Sequence, residues 1–321
     1  MFKEWNPHDY IPWSDGKNYY ALGGQDWHPD QAQLSEVART ALVQNLLTED
    51  NLPAYHREIA MNFSMDGPWG YWVNRWTAEE NRHGISIRDY LVVTRNCDPI
   101  ELEELRMEQM TRGFSPGQNQ QGDLFAENLF DSVMYVSFQE LATRVSHRNT
   151  GKACAEPVAD KLLQQVSADE NLHMIFYRDA SAAGLDIAPN MAIQSVYRIL
   201  KNFKMPGYTV PEFRRKAVII ATGGVYDPRI HLEDVVMPVL RKWRIFERAN
   251  GIPLDVMTAL IRHTLGVTHS ADPVDGEVPM IDVGAAGVAR LDLSPESDAV
   301  DSGRWLDPDC ADQLAGELIA A

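Results

Sequence analysis

Trp76-Thr77-Ala78-Glu79-Glu80-Asn81-Arg82-His83 and, later in the chain, Ala168-Asp169-Glu170-Asn171-Leu172-His173 carry the same short pattern. In each, a Glu and a His stand three residues apart. On an α-helix that spacing puts both side chains on one face about a turn apart, where they can share an ion. One Glu-x-x-His is weak evidence, because helices are rich in Glu and most such pairs face solvent. The recurrence carries the argument, since each copy has a partner upstream: Glu49 precedes Glu80 by 31 residues and Glu140 precedes Glu170 by 30. The chain is therefore a near-repeat in which a helix with one Glu is followed, after a connection, by a helix with Glu-x-x-His. Two such halves supply four carboxylates and two imidazoles, the ligand set of a di-iron or di-manganese carboxylate bundle. Oxygen-rich ligation with two His favours a hard, redox-active ion pair over a structural zinc.

The surrounding periodicity is helical. From Gln33 to about Asn62, Leu34, Val37, Ala38, Ala41, Leu42 and Leu46 follow the 3.6 period and Glu49 continues their stripe. Pro53 lacks the N–H that would bond the Glu49 carbonyl, so the helix either kinks there or ends. After Gly67-Pro68, a helix from about Trp69 to Thr94 carries Trp72, Trp76, Glu80, His83, Ile87 and Leu91 inward, leaving Glu79 and Arg82 for contacts just outside the ligand stripe. A charged helix is expected over about Pro99 to Thr111, and the Gly- and Gln-rich loop 113–122 separates the halves. The helix from Leu124 to Asn149 places Glu140, Thr143 and His147 on one face, with Gly151 as its stop. The helix from Pro157 to Ala183 carries Glu170, His173 and Tyr177 and ends before Gly184. Three more helices, about Asn190 to Phe203, Glu212 to Ala221 and Leu232 to Ala249, have apolar runs that need covering.

The expected organisation is an irregular arm over 1–32, rich in aromatics, Gly and Pro, an all-α domain over 33–266, and an acidic, disordered tail over 267–321. Net charge is −17, but twelve acids against Arg290 and Arg304 give the last 55 residues a net of −10, leaving −7 for the first 266. Nothing in this distribution suggests a nucleic-acid partner. Cys97, Cys154 and Cys310 form no CxxC and fit a reducing, cytoplasmic setting. No stretch reaches the roughly 18 apolar residues of a membrane span.

Several stretches resemble the soluble acyl-acyl-carrier-protein desaturase family, the plant plastid type and more closely its mycobacterial members. They are Trp5-Asn6-Pro7-His8-Asp9-Tyr10, Thr48-Glu49-Asp50-Asn51-Leu52-Pro53, the run from Trp76 to Gly84, Ser137-Phe138-Gln139-Glu140-Leu141-Ala142-Thr143, Ser146-His147-Arg148-Asn149-Thr150, and Ala168-Asp169-Glu170 with His173. They occur in the family's order and cover the chain to about residue 250. The additional helix that precedes the Trp-Asn-Pro segment in that family is not found here.

The resemblance implies a ferritin-like di-iron four-helix bundle with additional packed helices. It implies two Fe ions per chain, bridged by Glu80 and Glu170, capped by Glu49 and Glu140, and completed by His83 and His173. The implied activity is O2-dependent insertion of a double bond into a fatty chain carried on acyl carrier protein, with electrons from a ferredoxin-type donor, by a homodimer. Asp169 is a candidate partner for a ligand histidine. Trp5 and Trp76 either lie near an electron route or are simply packed. The Thr143 hydroxyl either relays a proton toward the centre or bonds the carbonyl one turn back. An acidic carrier needs a basic patch, for which Lys201, Lys204, Arg214-Arg215-Lys216 and Arg241-Lys242-Trp243-Arg244 are candidates. Competing readings are a di-iron hydroxylase or desaturase of a carrier-bound specialised intermediate, a non-catalytic iron-binding bundle, and a radical-generating subunit using Tyr177.

Overall fold

A computed structural model describes residues 4–112 and 129–248, together with the antiparallel pair Asp282–Val283 and Ala289–Arg290. The loop expected over 113–122 and, apart from that pair, the tail expected over 267–321 lie outside the described residues. The described body is helical, as the periodicity requires.

Four helices form the central bundle: α1 (Glu36–Glu49), α3 (Gly67–Val93), α5 (Leu129–Cys154) and α6 (Pro157–Ile187). Packed around them are α2 (Leu52–Asn62), α4 (Pro99–Arg112), α7 (Pro189–Asn202) and α8 (Phe213–Thr222). Last come the short α9 (Pro228–Ile230), a π-helical segment His231–Val236, α10 (Met237–Trp243) and α11 (Ile245–Arg248). Ser35 caps α1 by accepting the Ala38 N–H, and Glu156 caps α6 by accepting those of Val158 and Ala159.

α3, α5 and α6 each read apolar, then acidic, then apolar, while α1 runs apolar into its terminal Glu49, so the two larger clusters of the core lie on either side of a polar layer. One holds Leu42, Leu46, Ile87, Leu91, Leu162 and Val166; the other holds Trp72, Trp76, Phe138, Met174 and Tyr177. Glu49, Glu80, His83, Glu140, Glu170 and His173 fall between them, all buried. The hydrophobic layers stabilise the bundle and, from both sides, keep water from the polar one.

At Pro53 the helix ends: α1 stops at Glu49, and Pro53 lies in the first turn of α2, where its missing N–H has no helical partner to lose. Gly151 and Gly184 do not stop their helices, contrary to the sequence expectation. α5 continues to Cys154 and α6 to Ile187. Both glycines serve close approach instead. A Cβ at Gly184 would lie 2.5 Å from Cε1 of Phe130, and one at Gly151 would lie 3.2 Å from Cβ of Leu163 on α6. The helix expected from Leu232 to Ala249 is broken in two places. Pro238 cannot donate to a carbonyl one turn back, and the chain meets it with the wider π turn. Arg244 then takes a left-handed conformation at φ 55° and closes α10.

The arm before α1 is irregular but fixed. Arg95, buried at the end of α3, donates to the carbonyls of Lys17, Asn18 and Gln25 and stacks on Tyr19. Asn96 accepts the N–H groups of Gln33 and Leu34. At the arm's other end, Trp5 is buried against the polar layer.

Candidate metal centre

Two overlapping groups of ligand atoms converge between the apolar clusters. Glu49, Glu80, His83 and Glu170 form one; Glu80, Glu140, Glu170 and His173 form the other, and within each the atoms lie within 4.8 Å of one another. Glu80 and Glu170 belong to both. All six residues named from the sequence are thus brought together, one each from α1 and α5 and two each from α3 and α6. The Nδ1 atoms of His83 and His173 face inward, 3.1 Å from Oε1 of Glu170 and 2.9 Å from Oε1 of Glu80 respectively.

The opposite ring nitrogens are held from outside. Nε2 of His83 lies 3.2 Å from Oδ2 of Asp169, and Nε2 of His173 lies 2.9 Å from Oε2 of Glu79. A carboxylate only accepts, so each pair fixes Nε2 as the donor and leaves the Nδ1 lone pair for a cation. The arrangement is reciprocal, because Glu79 precedes Glu80 on α3 and braces the histidine of α6, while Asp169 precedes Glu170 on α6 and braces that of α3. Both carboxylates have cationic support. Arg75 donates to Glu79 at 2.5 Å, and Asp169 accepts from Arg82 at 2.5 Å and from the Trp5 indole at 2.8 Å. The doublets Glu79-Glu80 and Asp169-Glu170 already carried this signal; sequence reasoning assigned a partner role to Asp169 and left the partner of Glu79 open.

Electrostatics follow from the crowding. Burial, then the charges of Glu80 and Glu170, drive the Glu140 carboxyl well above its ordinary range. Burial and the charges of Glu170 and Glu49 raise Glu80. Burial works the same way on Glu49 and Glu170, but the hydrogen bond from His147 and the neighbouring His83 imidazole at the first, and the adjacent His173 and His83 imidazoles at the second, outweigh it and hold both low. For His83 and His173, burial opposes the charged form, yet four carboxylates around each ring hold both well above the ordinary imidazole value. Protons thus offset the clustered negative charge, and divalent cations can displace them in that task.

The donor set fits such cations. Among the buried side-chain atoms without a hydrogen-bond partner are Oε1 of Glu80, Nδ1 of His83, Oε2 of Glu140, Oε1 of Glu170 and Nδ1 of His173. Unpaired buried polar atoms are costly and rare. Here they come from five of the six clustered residues and suit a hard metal pair.

Thr143 lies beside this cluster, its Oγ1 3.0 Å from Oε2 of Glu170 and 3.0 Å from the Glu140 carbonyl. Both sequence readings of that hydroxyl are geometrically available. Trp76 does more than pack, since its indole donates to Oε1 of Glu140 at 3.1 Å. Tyr177 is fully buried in edge contact with Trp72 and Trp76. His147, noted from the sequence only as sharing the Glu140 face, has its Nε2 2.7 Å from Oε1 of Glu49. A cavity of about 100 Å³ opens beside Glu49, Thr143 and His147, with Met205, Phe213, Ala217 and Ile220 on its outer wall.

Of the basic runs, Arg214 and Arg215 are exposed on α8, whose Phe213 and Ala217 line that cavity. Lys204 sits over the Tyr208 ring, and in the Arg241 to Arg244 run Trp243 is buried. Among the described residues, no helix is long and apolar enough to cross a membrane.

Comparison with known proteins gives a consistent result. A family model described as fatty acid desaturase matches residues 1–259. The chain is 75% identical over 248 residues to Mycobacterium tuberculosis DesA1, provisionally named an acyl-acyl-carrier-protein desaturase, covering 77% of this chain and 73% of that protein. It is 25% identical over 268 residues to the chloroplastic stearoyl-acyl-carrier-protein 9-desaturase 2 of Arabidopsis thaliana, covering 77% and 62%. The X-ray structure of M. tuberculosis DesA2, which bears the same provisional name, superposes with a TM-score of 0.64 at 25% identity, covering 82% of this chain and 91% of that one.

Proposed function

Because the chain belongs to the fatty acid desaturase family, we propose that it inserts a double bond into a fatty acyl chain tethered to acyl carrier protein. The observation that carries this reading is the pair of four-residue groups sharing Glu80 and Glu170. The overall change removes two hydrogens from adjacent methylenes, while O2 takes up those hydrogens, two electrons and two protons and leaves as two waters. A ferredoxin-type protein is the proposed electron source.

Glu49, Glu80, His83 and Glu170 would hold one iron, and Glu80, Glu140, Glu170 and His173 the other. When bound, the iron pair supplies O2 activation and the oxidising power that an unactivated methylene requires. The chain's own groups supply the rest. Asp169 and Glu79 keep His83 and His173 in the tautomer that presents Nδ1. Trp76 holds one oxygen of Glu140, leaving the other free. The Thr143 hydroxyl, within reach of Glu170, holds a proton at the edge of the cavity. The apolar clusters on either side keep bulk water out, so the redox equivalents are spent on substrate.

The test is reconstitution with iron, a reductant, a ferredoxin and acyl carriers of several chain lengths, read by mass spectrometry. Loss of two hydrogens from the acyl group supports the proposal. Gain of one oxygen would instead make the chain a hydroxylase, and iron uptake well beyond two per chain without carrier dependence would make it an iron-storage bundle.

A further inference from the structure

Glu49 differs from the other clustered carboxylates in how its backbone is held. Glu80, Glu140 and Glu170 stand inside helices that continue for two turns or more on both sides, whereas Glu49 is the last residue of α1, followed by the turn Asp50-Asn51. The carbonyl of a helix-terminal residue has no N–H one turn on to hold its peptide, and here the residue four on is Pro53, which has none to give. Support from across the bundle therefore counts for more at Glu49 than at the other three.

His147 supplies that support. Its Nε2 lies 2.7 Å from Oε1 of Glu49, with both side chains buried. The flanking turns of α1 and α5 are tied at the same level. Asn45, one turn before Glu49, donates to Oγ1 of Thr150 at 3.1 Å and accepts from the Ser146 hydroxyl at 2.9 Å. The ring is thus carried on a seam that sets the spacing of the two helices. Carboxylates accept only, so Nε2 bears the proton, and Nδ1, which has no hydrogen-bond partner, lies in a residue that lines the cavity.

We infer that His147 is a positioning residue for the metal centre: it holds one oxygen of Glu49 by a hydrogen bond and turns the other toward the ion shared with Glu80, His83 and Glu170. Oε2 of Glu49 lies 3.7 Å from Nδ1 of His83, on the inner side of the cluster. The Glu140, His173 side makes no hydrogen bond or ion pair with His147 and is supported separately by Trp76 and Glu79. Losing His147 therefore weakens one ion of the pair and spares the other. This inference rests on the two-ion reading of the centre.

The experiment is equilibrium titration of the full chain with Co2+ under anaerobic conditions, following the d–d absorption of the bound ion, for the wild type and for His147→Leu, His147→Gln and His147→Asn. The amide nitrogen of Gln can reach the place of Nε2, whereas that of Asn falls near Nδ1. The wild type should take two ions. His147→Leu should retain one with wild-type affinity and bind the second about 10- to 100-fold more weakly. His147→Gln should recover the second ion, and His147→Asn should not. Fewer than two ions in the wild type would count against the two-ion reading itself. With two in the wild type, an unchanged second ion in His147→Leu overturns the positioning role. Should His147→Leu not fold, Gln and Asn variants that bind alike overturn it equally.

Discussion

Nε2 of His173 on α6 lies 2.9 Å from Oε2 of Glu79 on α3, so the residue next to one bridging candidate holds the histidine of the opposite half. The bond fixes which ring nitrogen faces the carboxylates, and Arg75 in turn holds Glu79 in place. Glu79→Ala should therefore weaken metal binding by about 10- to 100-fold although Glu79 is not itself among the clustered ligands. Calorimetric or spectroscopic titration with Fe2+ or Co2+ checks this. Unchanged affinity would mean that the tautomer of His173 is set by something else.

Direct removal of a ligand candidate should have a larger effect. Glu140→Ala or His173→Ala should lose iron and activity together while circular dichroism shows most of the helix retained, because the two apolar clusters remain on either side of the lesion. Iron per chain, helical content and product formation, measured on one preparation, decide the point. A variant that kept full activity would show the ligand assignment to be wrong.

How far the sequence led can be judged at individual residues. Glu80, His83, Glu170 and His173 were legible because a three-residue spacing maps onto one helical face whatever else the helix does. Glu49 was placed by continuing a stripe, but whether Pro53 bends or ends the helix was open, since both outcomes satisfy the missing N–H. Gly151 and Gly184 were misread as stops. Local propensity suggests an ending, and what overrides it is the approach of Phe130 and Leu163, which only tertiary structure reveals. The bond between His147 and Glu49 was invisible because it joins residues 98 apart by a register between α1 and α5 that no spacing encodes.

The misread glycine yields a stability prediction. A methyl group at residue 184 would meet Phe130 at 2.5 and 2.8 Å, inside any normal carbon contact, so the ring or the helix must move. Gly184→Ala should cost about 1–3 kcal/mol in spite of alanine's higher helix propensity. Chemical denaturation measures it, and a variant as stable as the wild type would show that Phe130 swings away freely.

Charge crowding makes the pH dependence of stability differ with and without metal. After chelation, Glu80 and Glu140 titrate above 4.5 and His83 and His173 above 6.5, so the folded chain binds more protons than the unfolded one. The share from Glu80 and Glu140 then falls as pH rises above 4.5, and that from His83 and His173 as it rises above 6.5. Glu49 and Glu170, held low, contribute stability present above 4.5 and lost only as pH falls below it. In the loaded protein the cations replace those protons, and binding strengthens as pH rises. The gap in melting temperature between loaded and chelated protein should widen with pH above 6.5. A gap that stays constant across that range would remove the proton-for-metal exchange.

Thr143 offers the cleanest separation of binding from turnover. Its hydroxyl has one proton and three acceptors in reach, the carbonyls of Gln139 and Glu140 and Oε2 of Glu170. Thr143→Val keeps the branched shape, leaves both carbonyls with their helical partners, and removes a hydroxyl of the cavity wall that reaches a bridging candidate. If that hydroxyl moves a proton during turnover, Thr143→Val should bind two ions with near-native affinity and lose about 10²- to 10⁴-fold in rate, while Thr143→Ser recovers most of it. If it only satisfies a carbonyl, the Val variant should keep its rate and lose about 1 kcal/mol of stability. Single-turnover kinetics on metal-replete samples distinguishes the two, because metal content is then equal and only the hydroxyl differs.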